Sequence, residues 1–234
     1  MRKRPVTSVS KQAAAAIGQC LVMSRWLTAL SDYGVIVGQA LLTHSDLKDR
    51  VSYLNIRDTL SYLLENGVVP IVNENDTVSI QRSRLGNNDR LAAELSGLIF
   101  SPLLIFLTQT NGIYTSDPAI DPKAERISSL LDTTDLGRSQ SEGISQFGTG
   151  GVKTKIEAIQ IAQEHGVASV VACGYDPQVL LSIIEGKDIG TFVGASSKPS
   201  IGARKRWISA TLRPSGSVII DRGAARALRL GSSL

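Results

Sequence analysis

Three short stretches of this chain carry residue types that can do chemistry. The first is Phe147-Gly148-Thr149-Gly150-Gly151-Val152-Lys153-Thr154-Lys155. Its glycines let the backbone turn with positive φ and let a ligand come close. A helical pattern follows at once, with Val152, Ile156, Ile159 and Ala162 on one face. A Gly-rich turn that opens a helix offers free N–H groups and the positive end of the helix dipole, and Lys153 and Lys155 add charge. That chemistry suits a polyphosphate. The spacing from glycine to the Lys-Thr pair is not that of a P-loop. The polar, Ser-rich sequence before it excludes a dinucleotide fingerprint, which follows a strand. The plain alternative is an ordinary loop leading into a helix.

The second stretch is Asn73-Glu74-Asn75-Asp76, a dense set of carboxylates and amides directly after the apolar run Val68–Val72. The third is Gly86-Asn87-Asn88-Asp89, which leads into a helix carrying Leu91, Leu95 and Leu98. Each has a structural alternative. Asn and Asp favour turns in any case, and Asn87 or Asn88 could simply cap the helix.

The elements that must position these stretches alternate between strand and helix. Val9 to Leu30 reads as an Ala-rich helix capped by Ser8 or Ser10, and Gly34 stops it. Val35–Leu42 reads as a strand, Asp46–Glu65 as a helix closed by Asn66-Gly67, and Val68–Asn73 as the next strand. Ser79–Leu85 is basic and reads as a hairpin or loop. Leu103–Thr108 and Val167–Cys173 are apolar throughout, as strands buried on both faces are. Gly112–Thr115 reads as a short strand with a turn at Asp117-Pro118, Asp176–Glu185 as a helix and Ile189–Val193 as a strand. Asp132–Ser145 is polar, and Arg204–Leu234 mixes short β and helical signals. The alternation predicts an α/β fold, a three-layer α/β/α sandwich around a mostly parallel open sheet. Ligands bind such sheets beyond the carboxyl ends of the strands. Asn73–Asp76, Thr108-Gln109-Thr110-Asn111 and Gly174 all fall at such ends.

Composition sets bounds. With 42% hydrophobic and 20% charged residues over 234 positions, the chain is an ordinary globular one with room for one large domain or two small ones. Aromatics make up only 5%, so the core rests on Leu, Ile, Val and Ala. The net charge of +4 and pI near 9.2 come partly from Met1-Arg2-Lys3-Arg4 and Arg204-Lys205-Arg206. No aromatics interleave with these clusters, so a nucleic-acid partner is not expected, and an anionic small substrate explains the balance. Cys20 and Cys173 stand in no metal spacing and read as reduced core thiols of a cytosolic protein. His44 and His165 are isolated and read as surface or satisfied residues, not as a catalytic pair. The apolar run Gly97–Leu107 is too short to cross a bilayer, and Gln12, Gly18 and Gln19 interrupt any signal-peptide core.

Taken together, these segments resemble the glutamate 5-kinases of the amino acid kinase family. The likeness runs over essentially the whole chain. It includes Ser10-Lys11-Gln12, Gly38-Gln39 with Leu41-Leu42-Thr43, Tyr53-Leu54-Asn55 with Arg57-Asp58-Thr59-Leu60, Val69–Asp76, Gly112–Pro118, the Gly-rich turn and Arg204–Ile208. The resemblance implies transfer of the γ-phosphate of ATP to the γ-carboxylate of L-glutamate, the first step toward proline, in a cytoplasmic homo-oligomer with proline as feedback inhibitor. It implies that Asp76 and Asn88 hold the glutamate amino and carboxylate groups, with Asn73 in the same substrate site. Asp89 would organise the transfer site, and Lys155 would be its cation. Thr108 and Gln109 would contact the nucleotide, and Thr149, Gly150, Gly151, Val152, Lys153, Thr154 and Lys155 would form the ATP-phosphate loop, with Mg²⁺ as cofactor and no protein metal ligand assigned.

The chain also departs from the family pattern. The family's first Gly-rich loop with its lysine, and the Ser-Gly-Ala turn after its second strand, have no counterpart. Gln109 stands where the family has Asp, and Asn87 stands for the first Asp of Gly-Asp-Asn-Asp. The expected division is an amino acid kinase domain over 1–210, incomplete at its N-terminus. Residues 211–234 would form the end of that domain and the start of a linker to a PUA domain that is absent. The alternative function is a kinase-like fragment that binds glutamate or nucleotide without turnover.

Overall fold

Thr7 opens the first helix. Its hydroxyl accepts from Ser10 N at 3.2 Å, and α1 then runs Ser8–Ser31. The computed structural model describes residues 5–79, 87–118, 120–131, 149–195 and 220–229. The further elements are β1 (Ile36–Leu42), α2 (His44–Lys48), α3 (Arg50–Glu65), β2 (Val68–Glu74), α4 (Asn87–Leu98), β3 (Leu103–Thr108), β4 (Ser129–Leu130), α5 (Thr149–Glu164), β5 (Ala168–Cys173), α6 (Val179–Ile184), β6 (Thr191–Val193) and α7 (Arg222–Arg229).

The α/β character and the parallel pairing at the heart of the fold match the expectation, but the strands form two sheets. Strands β1 and β2 pair in parallel, with Ile36 opposite Val68 and Leu42 opposite Glu74. The second sheet runs β3-β5-β6-β4; β3 and β5 are parallel, β4 and β6 are parallel, and β5 and β6 are antiparallel. Helix α4 packs on both β2 and β3 and against α5, so it joins the two sheets.

The sequence of α4 explains this position. Leu91, Leu95 and Leu98 fall on one face and enter a core with Leu47, Tyr53 and Leu60 from α2 and α3. Ala93, on another face, is fully buried in a second core with Phe106, Ala158, Ile159, Ala162, Val171 and Val193. The helix is therefore apolar on two faces, as one between two layers must be.

Several local readings change. The helix expected over Asp46–Glu65 is two helices, because Asp49 leaves the helical conformation and caps α3 by accepting from Ser52 N at 2.8 Å. Asp176 forms a turn, accepting from Gln178 N at 2.9 Å, so α6 starts only at Val179. Gly112–Thr115 is reduced to a single antiparallel bridge, Tyr114 opposite Arg126, where Thr115 N donates to Glu125 O at 2.9 Å. Gly112 has φ +118, and Ile113 N donates to Thr191 Oγ1 at 2.8 Å in place of a ladder bond. Cys20 is exposed on α1 and Cys173 half-buried, so neither is a core thiol. Both histidines are buried, His44 against Glu94 and His165 beneath α4. Ser79–Leu85 largely, and Asp132–Ser145 and Arg204–Ile208 wholly, lie outside the described residues.

Helix α1 has no buried residue, and Val9, Ile17, Leu21, Trp26 and Leu27 stand exposed along it. At 24 residues it is long and apolar enough to cross a membrane, which the sequence reading overlooked. Its inner side carries polar contacts instead. Gln19 Oε1 accepts from Asn73 Nδ2 at 2.8 Å, and Gln12 Nε2 reaches Ser79 O at 3.5 Å.

The α4–α5 contact is close at Gly97. A Cβ there would stand 2.3 Å from Cγ of His165. Gly97→Ala should therefore force the helices apart at a cost of about 1–3 kcal/mol, the usual range for overpacking. An unchanged urea midpoint would show that His165 can swing aside freely.

Candidate active site

The C-terminal ends of β2, β3 and β5 and the N-terminal turns of α4 and α5 converge through a chain of contacts. At the end of β2, Asn73 is a junction. Its Oδ1 accepts from Asn88 Nδ2 at 3.0 Å and from Glu74 N at 2.9 Å, while its Nδ2 donates to Gln19. Asn88 and Asp89 both lie in the first turn of α4, so neither acts as the cap outside the helix. Asp89 Oδ2 accepts from Lys155 Nζ at 2.8 Å, and both side chains are half-buried. Lys155 in turn lines a cleft of about 590 Å³ with Thr108, Gln109, Thr110, Gly112, Ile113, Gly174 and Tyr175.

The structure thus brings Asn73, Asn88, Asp89, Lys155, Thr108 and Gln109 into one contiguous series. Asp76 sits just beyond β2, where its N–H donates to Glu74 O at 3.0 Å. Thr149–Lys153 belong to α5 by their backbone, and their side chains lie outside the described residues. Because α5 begins at Thr149, Gly150 and Gly151 are inside its first turn. The first four N–H groups of a helix have no partner within it, and here two of those residues carry no Cβ to hinder a ligand. Lys155 is in the second turn. Helical side chains lean toward the N-terminus, which explains how it reaches both Asp89 and the cleft.

The cleft has an apolar wall of Leu107, Ile113, Ile156 and Val171 and a polar rim of Thr108, Gln109 and Thr110. Thr108 Oγ1 accepts from Thr110 N at 2.9 Å, which turns the chain outward beyond β3. Gly174 lets β5 close on β3: its N–H donates to Thr108 O at 2.8 Å, and a Cβ would stand 3.1 Å from that of Leu107. Tyr175, exposed on the cleft, was missed by sequence reasoning; its place directly after the strand-end glycine was the available signal. Glu74, named in the second stretch but given no role, is buried at the end of β2 and accepts from Ser79 Oγ at 2.6 Å. Among the described residues no group of three or more His, Cys, Asp or Glu could hold a metal ion.

Partial desolvation raises the pKa of Asp76 above the ordinary 3.8, and the nearby Glu74 carboxylate adds to the effect. The sign follows from linkage. A carboxyl whose folded pKa is raised favours the fold below its unfolded value, and that advantage is lost as pH rises through the folded value. Asp76→Asn should therefore melt above the parent at pH 7, and the difference should shrink as pH falls toward 3.8. A parent that melts higher at neutral pH would mean the Asp76 charge is stabilised by groups not seen here.

The model of the amino acid kinase family matches residues 2–173. The chain is 43% identical over 232 residues to a glutamate 5-kinase of Gloeobacter violaceus, covering 99% of this chain and 63% of that one. It is 41% identical over 225 residues to one of Shewanella oneidensis, covering 96% and 60%. It is 40% identical over 232 residues to one of Escherichia coli, covering 98% and 63%. The chain therefore spans 60–63% of the length of these relatives. With a family match over most of its length and the strand-end site described above, the chain belongs to the amino acid kinase family.

Proposed function

We propose that this chain carries the acceptor and nucleotide sites of an ATP-dependent phosphotransferase that acts on the γ-carboxylate of L-glutamate. The observation that carries the reading is the Asp89–Lys155 contact, which makes the amide and carboxylate cluster at β2 continuous with the cleft at β3 and β5. The relatives named above are glutamate 5-kinases, which supports glutamate as the acceptor.

In this reading Asp76 faces the ammonium of glutamate, and the Asn73 and Asn88 amides orient its carboxylate end. The nucleotide lies in the cleft between the apolar wall and the Thr108–Thr110 rim. Its terminal phosphates meet the free N–H groups of the first turn of α5, where the helix dipole favours negative charge. An oxygen of the γ-carboxylate forms a new bond to the γ-phosphorus while the bond to the β,γ-bridging oxygen breaks and ADP leaves. The transition state spreads charge over the equatorial oxygens. Lys155 answers that charge, and Asp89 keeps the ammonium of Lys155 aimed into the cleft. Mg²⁺ keeps several waters and phosphate ligands and needs few protein carboxylates. It would neutralise phosphate charge beside Asp89.

The exposed apolar length of α1 supports self-association, and the polar inner contacts of that helix support a water-soluble, cytoplasmic setting. We assign the kinase domain to 1–210 and the remainder to its closing segment.

Lys155→Ala should weaken ATP binding by about tenfold or more, the worth of a hydrogen bond between charged groups, and leave glutamate binding nearly intact. Asp76→Ala should do the reverse. Calorimetry with each ligand separates the two, and a Lys155→Ala variant with unaltered ATP affinity would remove the phosphate role. Turnover is read by trapping the acyl phosphate with hydroxylamine. Phosphate transfer to another acid in preference to glutamate would overturn the acceptor assignment.

A further inference from the structure

A buried hydrogen-bonded pair sits one and a half turns behind the acceptor residues of α4. His44 Nδ1 and Glu94 Oε2 are 3.1 Å apart, with only 7% and 8% of the side chains exposed. Arg90 Nε donates to the other oxygen of Glu94 at 2.8 Å. His44 is the first residue of α2, directly after Thr43, which caps that helix by accepting from Asp46 N at 3.3 Å. The end of β1 is thereby tied to the middle of α4.

We infer that the His44–Glu94 pair, backed by Arg90, is a positioning set that fixes how α4 presents Asn88 and Asp89. Glu94 lies on α4 in the row between Leu91 and Leu98, the leucines that enter the core with Leu47 and Tyr53. The leucines on that face hold α4 by burial, which is non-directional and tolerates rotation about the helix axis. A hydrogen-bonded carboxylate does not tolerate it. Rotating α4 by one residue would leave Glu94 buried and unpaired, which is strongly unfavourable. Asp89 is five residues from Glu94, about 7.5 Å along the axis at the α-helical rise, so fixing one fixes the other. Asn88 then meets Asn73, and Asp89 meets Lys155.

The inference rests on the proposed role of Asn88 and Asp89 in acceptor binding, and the test separates the two. Replacing both partners of a buried polar pair with apolar residues of similar shape is often neutral or stabilising. The full chain carrying His44→Leu and Glu94→Leu should therefore melt no lower than the parent, yet bind glutamate about tenfold more weakly, with ATP affinity unchanged. A second readout needs no ligand. Amide exchange at Leu91, Ala92 and Ala93, whose helical bonds close on Asn87, Asn88 and Asp89, should accelerate, while exchange at Leu98 should not. Should the double variant fail to fold, the isosteric Glu94→Gln replaces one of the two acceptor oxygens facing His44 and Arg90 by a donor and should shift both readouts in the same direction. Faster exchange in the variant, together with a parent chain that binds no glutamate, would discard the acceptor reading and leave the positioning set standing. Unchanged exchange, or glutamate bound as tightly by the folded variant as by the parent, would overturn the inference.

Discussion

The contact between Asp89 and Lys155 is the one on which the rest of the site depends. The carboxylate stands in the first turn of α4 and the ammonium in the second turn of α5, 2.8 Å apart and 66 residues apart in sequence. Half-buried pairs of this kind contribute at most about 1 kcal/mol to stability, so the pair is weak as a brace. Its consequence is placement. The amides and carboxylates at the end of β2 belong to one sheet, and the cleft beyond β3 and β5 belongs to the other. No ladder hydrogen bond joins those sheets among the described residues. Among the described residues α4 packs on strands of both sheets and against α5, and at the site-facing ends of the two helices these two side chains meet.

That arrangement explains why α4 is built as it is. One face is leucine and enters the core of α2 and α3; another is Ala93 and Gly97 and lets α5 approach closely. Large side chains on the second face would hold the helices apart and leave Lys155 short of Asp89. Small residues there contribute little burial themselves. They admit Ala158, Ile159 and Ala162 of α5, each fully buried. Packing density in the interior thus sets a distance between charged groups at its edge.

Much of this was legible in the sequence, for reasons that can be named. Leu103–Thr108 was found to the residue because a charge-free apolar run has few other readings, although burial on both faces did not follow: Phe106 is buried and Leu107 exposed. The three polar stretches were recognisable because parallel strands leave their ligand groups at their carboxyl ends. What joins them was not legible, since neither Asp89–Lys155 nor His44–Glu94 follows any period. Glu94 did leave a trace: it is a carboxylate between Leu91 and Leu98 on the face that the leucines bury. Its partner left none, because an isolated histidine has no spacing to read. Strand β4, two residues long, lacks any pattern, and the division into two sheets depends on pairings that local propensity does not encode.

Asp76 shows how placement for a ligand works against the fold. A carboxylate held near Glu74 at the end of β2 is ready for an ammonium, because two like charges lower the potential that a cation meets. The same neighbour and the same partial loss of water make its ionised form less favourable in the folded protein. The oxygens of Asn73 and Glu74 are reached by hydrogen bonds from Asn88 and Ser79. The strain in this stretch is concentrated at the position nearest solvent, where a charged ligand can relieve it. A turn built for stability alone would place an amide there, which supports the proposed role of Asp76 toward an ammonium group.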